Sequence, residues 1–551
     1  MKLRGSDIIV ECLLEQGTDV LFGYPGGAVL NIYDSLYKYN DRIKHVLMSH
    51  EQHAGHAADG YARATGKTGV VLATSGPGAT NLVTALATAN MDSVPVVAIT
   101  GNVSLDLLGL DSFQEVDITG ITMPVTKHNY LVRDVRDLAD TIRKAFRIAN
   151  SGRKGAVLID VPKDITAAEC EFVATIPTAL PPPLRKGKLN DAINLITAAK
   201  RPLIYAGGGV ISSGAEDELA QFAELIDAPV SCSLMGQGCF DQYSSRYIGM
   251  LGMHGTATSA EVFANCDLFI ALGTRFSDRV TGCKKAFSAK TKILHIDIDE
   301  AEHNKNVPAH TEVKGDLKTV LAELNAQLPQ IRRGEQCSPV NTNITQAGTA
   351  DFPVTPQAVI EKLSELTDGR AVITTEVGQN QMWAAQYYRN RETRTFISSG
   401  GLGTMGFGLG AAIGAKVGQP GKTVVNIAGD GSFGMNIGEL VTLSKFNIPV
   451  VQLVLNNSVL GMVRQWQRIF YSGRFSQTTL ERPMDYVKLA DAFGIKAYII
   501  QNIEDIEPVL REALGLNEPV LIECRIDRNI NVLPMVPPGA DITKPILEVI
   551  I

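Results

Sequence analysis

Short runs of β-branched and other apolar residues recur along this chain, each separated from the next by a longer stretch of helical pattern. This alternation constrains the fold more than any other feature. "HVLMS", "TGVVLATS", "VPVVAIT" and "GAVLIDVP" come first; "RPLIYAG", "DLFIALG" and "KILHIDID" follow; "RAVITTE", "TVVNIAG", "PVVQLVLN" and "PVLIECRI" complete the series. A strand apolar on both faces needs cover on both faces, and a helix between successive strands supplies it while making them run parallel. The expected class is α/β, with doubly wound parallel sheets. Two stretches break the rhythm: "ATIPTALPPPLRKG" near 174–187 and the polar "RRGEQCSPVNTNITQAGTADFPVTPQ" near 332–357. Read as linkers, they divide the chain into domains at 1–175, 188–331 and 357–551. A 551-residue chain with 45% hydrophobic content can fill three cores.

Composition removes several classes of function. The net charge is -7, with acidic and basic residues interleaved and no basic stripe, so nucleic acid is not an expected partner. The eight cysteines (Cys12, Cys170, Cys232, Cys239, Cys266, Cys283, Cys337 and Cys524) show no CxxC pair and no zinc-ligand spacing, and read as small buried residues of a reducing cytoplasm. "MKLRGSDIIVECLLEQG" interrupts its apolar pattern with Asp7, Glu11 and Glu15, unlike a signal-peptide core. The most membrane-like stretch, "GLGTMGFGLGAAIGAKVG", is glycine-punctuated and shorter than the ~20 apolar residues of a span. A tightly packed buried helix is expected there, and no membrane association.

In open parallel sheets, ligands bind beyond the carboxyl ends of the strands. Gly429, Asp430 and Gly431 stand at such an end, and Asn456 and Asn457 end the next apolar run. Taken alone, "GDG" is a glycine turn with a capping Asp. Paired with "NN", Asp430 and Asn457 offer the hard oxygen ligands that hold Mg²⁺ on a substrate's phosphates. The P-loop pattern GxxxxGK[ST] is absent, so this is not an ordinary nucleotide-phosphate loop. Glu51 falls in a first helical turn after "HVLMS", where a plain reading is complementation of the helix dipole. His50, His53 and His56 could suggest a metal cluster through the 53/56 spacing, but no acidic partner completes it and metal ligation is not expected.

These residues carry a family resemblance. Glu51 in "SHEQ", then "GYAR", "ATSGPGATN", "GDG" and "NN", resembles the thiamine-diphosphate enzymes of 2-oxo acids. "YPGGA" (24–28), "DSFQEVDITGITMPVTKHNYLV" (111–132), "LIDVPKD" (158–164), "GMLGMHGT" (249–256), "RFSDRVTG" (275–282), "VGQNQMWAAQ" (377–386), "GLGTMGFGLG" (401–410) and "NNSVLGMVRQWQ" (456–467) narrow it. The ordered set is similar to the catalytic subunits of acetohydroxyacid synthase over essentially the whole chain. The resemblance implies three domains: pyrimidine-binding, FAD-type and diphosphate-binding. The implied reaction decarboxylates pyruvate and joins the two-carbon unit to pyruvate or 2-oxobutyrate, within branched-chain amino acid biosynthesis.

Site roles follow from the same resemblance. Glu51 would exchange a proton with the aminopyrimidine ring of the cofactor, Gly27 would bring a backbone N–H near the reacting centre, and Gln114 and Lys163 would meet substrate. Gln379 and Asn380 would bind the diphosphate, Asp430, Asn457 and the Val459 carbonyl would hold Mg²⁺, and Met405 would support the bent cofactor. Pro25, Val377, Gly378, Gly403, Gly429, Gly431, Ser432 and Met462 belong to the same site, and Phe113 and Trp466 to the substrate channel. Gly207, Gly208 and Gly209 in "YAGGGVISSGA", with Arg153, His254, Arg275, Asp278, Arg279, Asp297, Ile298 and Asp316, resemble an FAD site; because the reaction has no net redox change, FAD would be structural. A homodimer or homotetramer is implied, with a small regulatory subunit. The chain departs from the family at Ser104, Asp106 and Leu110 on the channel rim. Asn380 replaces a usual His, and Gly410, Gly434 and Gly438 replace bulkier residues, which is expected to loosen helices by up to ~1 kcal/mol each. Rival readings are an FAD-free acetolactate-forming enzyme, another thiamine-dependent decarboxylase or diketone hydrolase, and a non-catalytic module of the same fold.

Overall fold

The computed structural model describes residues 1–176, 186–334, 346–480 and 484–549. Cys337 and parts of both linker stretches lie outside the described residues.

Three sheets organise the chain. Across the first run Lys44–Leu47, Val20–Gly23, Gly69–Ala73, Val96–Asn102, Ala156–Pro162 and His128–Leu131, all parallel. Across the third run Phe396–Ile397, Val372–Thr375, Val424–Gly429, Val450–Asn456, Val520–Arg525 and Lys496–Ile500, again all parallel. Counted in their own chain order, both sheets read 2-1-3-4-6-5, so the first and last domains share one topology. The sheet between them differs. Its parallel strands read 3-2-1-4-5-6, from Tyr247–Met250 at one edge to Thr311–Lys314, with Lys186–Gly187 added antiparallel beyond. That edge strand, and the antiparallel pairing of Lys2–Arg4 with Glu169–Glu171, are additions to an otherwise all-parallel expectation.

The central strands Gly69–Ala73 and Ala156–Pro162 are buried along their whole length, as apolar runs covered on both faces should be. Helices Glu51–Thr65 and Gly408–Gly418 follow equivalent strands in the two like domains and pack side by side, with their backbones almost touching. A Cβ on Gly414 would lie 1.8 Å from the Ala57 carbonyl, and one on Gly60 would lie 2.2 Å from that of Ala411. Gly410 has the same function: its Cβ would meet the His53 carbonyl at 2.8 Å. This corrects the expectation that Gly410 loosens its helix, because close approach rather than helix propensity selects the residue. The membrane-like stretch is this buried helix and the loop before it; among the described residues no helix is long and apolar enough to cross a membrane. Cys12, Cys232, Cys239, Cys266 and Cys524 are buried thiols, and Cys170 and Cys283 are partly so.

Candidate active site

Glu51 owes its place to its neighbours. His50 Nδ1 accepts the Gln52 N–H and caps the helix, so Glu51 occupies the first turn at the positive end of the dipole. Its carboxylate is half-buried, and Asn81 Nδ2 donates to Oε2 at 2.9 Å. Gly78 passes so close that a Cβ would lie 3.2 Å from Oε1. The same loop holds Gln114: Gly76, at φ +56°, packs its Cα against the Gln114 backbone, where a Cβ would meet the carbonyl at 2.8 Å. Gln114 itself has φ +59°. Glu51 and Gln114 therefore border a single loop at the carboxyl edge of the sheet, although they are distant in sequence. Gly27 and Pro25 are exposed in the turn after Val20–Gly23. The glycine that this turn requires is Gly26, whose Cβ would meet the Thr74 side chain at 2.5 Å. Lys163 is exposed at the end of Ala156–Pro162, and Phe113 is 87% exposed, so within one chain neither belongs to an enclosed channel.

The histidine expectation needs correction in one respect. His53 does have an acidic partner, Glu439 of the last domain, with Nδ1 3.0 Å from Oε1. Local sequence could not show it.

In the third sheet Gly429 pairs with Leu455 on the adjacent strand, so the residues just beyond, Asp430 and Asn457, emerge together. Both are buried. Three helices, Gln379–Tyr387, Asp430–Phe433 and Gly461–Phe470, begin here. Their starts are close-packed: a Cβ on Gly461 would lie 2.0 Å from Gln379 Oε1, one on Gly431 2.6 Å from Leu460, and one on Gly429 3.4 Å from Asn380 Oδ1. Converging helix N-termini offer backbone N–H groups to an anion. Asn457 Nδ2 donates to Gln379 Oε1 at 3.2 Å, the Val459 N–H donates to Asn457 Oδ1 at 3.2 Å, and Gln379 Nε2 gives its two hydrogens to Gln465 Oε1 at 2.9 Å and the Ile530 carbonyl at 3.1 Å, so, against expectation, the Gln379 side chain has none to offer a phosphate. Ser432 is buried in the same short helix. Asn380 departs from expectation. Its amide gives both hydrogens to the carbonyls of Glu376 and Ile427, at 3.0 and 2.8 Å, leaving Oδ1 toward the glycine loop. An acceptor there cannot donate to a phosphate, so any contribution comes from the helix N-terminus on which Asn380 lies.

Sequence reading passed over Glu376, which ends the run "RAVITTE". It is fully buried, its Oε2 accepts the Gly406 N–H at 2.8 Å, and its Oε1 accepts the Leu409 N–H at 3.2 Å and a hydrogen bond from Asn436 Nδ2. Burial pushes this carboxyl up to about 7. It fastens the loop carrying Gly403 and Met405 to the end of Val372–Thr375.

A cavity of about 1350 Å³ runs from the middle sheet to this loop. It lies where the middle sheet's strand order reverses, between Pro202–Ala206 and Leu268–Leu272, the usual place for a nucleotide in such sheets. Arg153, Gly208, Gly209, His254, Arg275, Asp278, Arg279, Asp297, Ile298 and Asp316 line it, and so do Val377, Gly378, Gly403, Met405, Met462 and Trp466 from the last domain. Glu51, Gln114 and Lys163 are not in its walls. Gly207 and Gly209 press on Gly273: a Cβ on Gly207 would lie 2.2 Å from the Gly273 carbonyl, and the Gly209 N–H donates to that carbonyl at 3.1 Å. The triple glycine is thus needed first for a loop crossing, and the Gly209 N–H is engaged there rather than offered to a phosphate. Asp316 caps helix Leu317–Gln327 by accepting the Thr319 N–H. Burial raises Asp297 to about 7 and lowers His254 to about 4, so both lean toward their neutral forms. Arg153 pairs with Glu302 at 2.9 Å, and the Arg279 guanidinium lies 5.9 Å from the Trp466 ring. Thr274 Oγ1 and Glu302 Oε2 are buried on this cavity without a hydrogen-bond partner among the described residues.

Comparison with known families meets this geometry. Residues 3–121 match the thiamine pyrophosphate enzyme N-terminal TPP binding domain, 189–324 the central domain and 376–524 the C-terminal TPP binding domain. Together these define the three-domain thiamine pyrophosphate enzymes. A probable acetolactate synthase large subunit of Methanocaldococcus jannaschii is 45% identical over 98% of this chain and 95% of its own length. The acetolactate synthase of Mycobacterium bovis is 46% identical over 98% of the chain and 90% of its own, and the isozyme 2 large subunit of Escherichia coli 43% identical over 98% of both. The chain belongs to the acetolactate synthase large-subunit family of thiamine pyrophosphate enzymes.

Proposed function

We propose that this chain decarboxylates pyruvate with thiamine diphosphate and transfers the two-carbon unit to pyruvate or 2-oxobutyrate. The observation that carries the reading is the placement of Glu51, Asp430 and Asn457 at strand ends of two like domains, in a chain that aligns end to end with acetolactate synthases. Bound thiamine diphosphate supplies a nucleophilic carbon that no side chain offers. Glu51 would hold a proton at the cofactor's pyrimidine nitrogen, with Asn81 fixing its orientation. The converging helix N-termini, that of Gln379–Tyr387 among them, would hold the diphosphate through backbone N–H groups. Asp430, Asn457 and the Val459 carbonyl form an all-oxygen donor set suited to Mg²⁺. Gly27, Gln114 and Lys163 would face the substrate, Lys163 offering a cation to its carboxylate, with Phe113 and Trp466 as apolar walls.

FAD fits the middle cavity. The volume, the position at the reversal of strand order, and the buried polar atoms Thr274 Oγ1 and Glu302 Oε2 all suit a large polar ligand. The residues around it would bind the flavin as a structural element, since the reaction needs no net redox change. We take 1–175, 188–331 and 357–551 as the pyrimidine, flavin and diphosphate domains. A second copy of the chain would cover the exposed Leu110, Phe113 and Met123 near Gln114 and bring its diphosphate half to Glu51. Relatives named as large subunits support a small regulatory partner, and the free buried thiols suit a cytoplasmic enzyme. Product analysis from pyruvate, with and without 2-oxobutyrate, beside a flavin absorbance scan tests the reading. Acetolactate and a bound flavin are expected. Colourless protein that makes acetolactate would replace it with the FAD-free form, and no acetolactate would overturn it.

A further inference from the structure

The turn that delivers Glu51 is held from the opposite domain. Glu439, buried in the last domain, directs both carboxylate oxygens across the boundary. The Ser49 N–H donates to Oε1 and Oε2 at 3.2 Å each, Ser49 Oγ donates to Oε1 at 2.7 Å, and His53 Nδ1 lies 3.0 Å from Oε1. Thr442 Oγ1 donates to Oε2 at 2.7 Å and steadies the carboxylate from its own side. Burial alone pushes this carboxyl up, but the hydrogen bonds from His53, Thr442 and Ser49 outweigh it and keep the group below the usual range, a charged acceptor. Ser49 and His53 stand two residues before and two after Glu51. Helices Glu51–Thr65 and Gly408–Gly418 meet largely through Ala and Gly, and the interface holds a second buried charge cluster, in which Arg63 pairs with Asp59 and Asp92 and donates to the Ser398 carbonyl at 3.0 Å. Apolar packing would serve stability as well as a desolvated charge does, and the Glu439 charge stands where the backbone carries Glu51.

The device recurs on the other side of the interface. Asp92 of the first domain accepts the Gly400 and Gly401 N–H groups at 3.1 and 2.7 Å, at the start of the loop carrying Gly403 and Met405. Each like domain thus supplies a carboxylate that grips the backbone entering its counterpart's interface helix.

We propose that Glu439 is the positioning residue for Glu51: through Ser49 and His53, the diphosphate-side domain sets where the pyrimidine-side carboxyl stands. The proposal rests on the role given to Glu51 above. It is tested in full-length protein loaded with thiamine diphosphate and Mg²⁺, by the rate of deuterium exchange at the cofactor's C2 in wild type, Glu439→Gln, Glu51→Gln and the double variant. Charged hydrogen bonds of this kind predict a slowing of roughly 10-fold for Glu439→Gln, with cofactor affinity changed less than about 3-fold and no further slowing in the Glu51→Gln background. In cofactor-free protein, amide exchange across residues 47–53 should speed up in the same variant. Equal slowing in both backgrounds, or none with Glu51 present, would overturn the proposal. A failure of Glu51→Gln itself to slow exchange would instead remove the role of Glu51, and the proposal with it. Should Glu439→Gln fail to fold, Ser49→Ala carries the test, with slowing of about 3-fold and the same dependence on Glu51.

Discussion

The first and last domains have the same strand order and different chemistry. Beyond the third strand of the first domain come the turn of Ser75 and Gly76 and the short helix Pro77–Asn81; beyond the third strand of the last comes Asp430. Beyond the second strand, the first domain enters its interface helix through Ser49 and His50 with Glu51 at the start, whereas the last takes a ten-residue loop, Ser398 to Phe407, carrying Gly403 and Met405. The same strand order thus presents Glu51 on one side and, in the proposed function, the metal and diphosphate ligands on the other. Topology decides where loops emerge, and the loop residues decide what the emerging edge can do.

The comparison is broken most sharply by removing the acid. Glu51→Gln should lower turnover by roughly 10²- to 10⁴-fold while thiamine diphosphate still binds, read by steady-state kinetics beside calorimetric titration. Its counterpart in the last domain should fail differently. Asp430→Ala should weaken Mg²⁺ and cofactor binding by about 10²-fold, with activity recovered in part at high Mg²⁺, because it removes a ligand rather than a proton carrier.

Buried carboxyls behind the two edges supply a third contrast. Asp160, which accepts hydrogen bonds from Thr100 and Asn102, and Glu376 are both raised by burial to about 7, from ordinary values of 3.8 and 4.5. Below about pH 4 both are protonated, folded or unfolded, and the folded state bears no charge there. Between about pH 4 and 7 the unfolded chain ionises these groups while the folded protein keeps them protonated, so stability falls across that window and levels off above it, with a ceiling of about 3 to 4 kcal/mol per group. Thermal unfolding from pH 4.5 to 8 should show this fall, and Asp160→Asn should flatten it. The smallest expected effect lies in the shared interface. Gly414→Ala puts a Cβ against the Ala57 carbonyl and should cost about 2 kcal/mol in denaturant unfolding, whereas the same change at Gly421, where a Cβ has open space, should cost almost nothing.

Strands with long apolar runs were legible in sequence because full burial requires that composition, and they include every interior strand of the two like sheets but the four-residue Val20–Gly23. The edge strand Lys44–Leu47 was read within "HVLMS", but other short or edge strands were not. "HNYL" at His128–Leu131 and the two-residue Phe396–Ile397 carry too little apolar pattern to stand out. The placement of Glu51, Asp430 and Asn457 just beyond strand ends was legible because polar residues there interrupt apolar runs. Asn81, Glu376, Gln465 and Glu439 were not, since each acts by a contact with residues remote in sequence.

What the sequence by itself determined is the alternation that makes parallel sheets, the side-chain oxygens of Asp430 and Asn457 beyond two adjacent strands, and Glu51 in a first helical turn. These depend on burial and on spacing along the chain, which a sequence records directly. Tertiary structure alone decided that the first and last domains share a strand order, that Gly410 and Gly414 are there for close approach, that the Asn380 amide is turned inward, and that Glu439 reaches Ser49 and His53. Those facts depend on which backbones meet across domains, and a residue's type does not encode its distant neighbour.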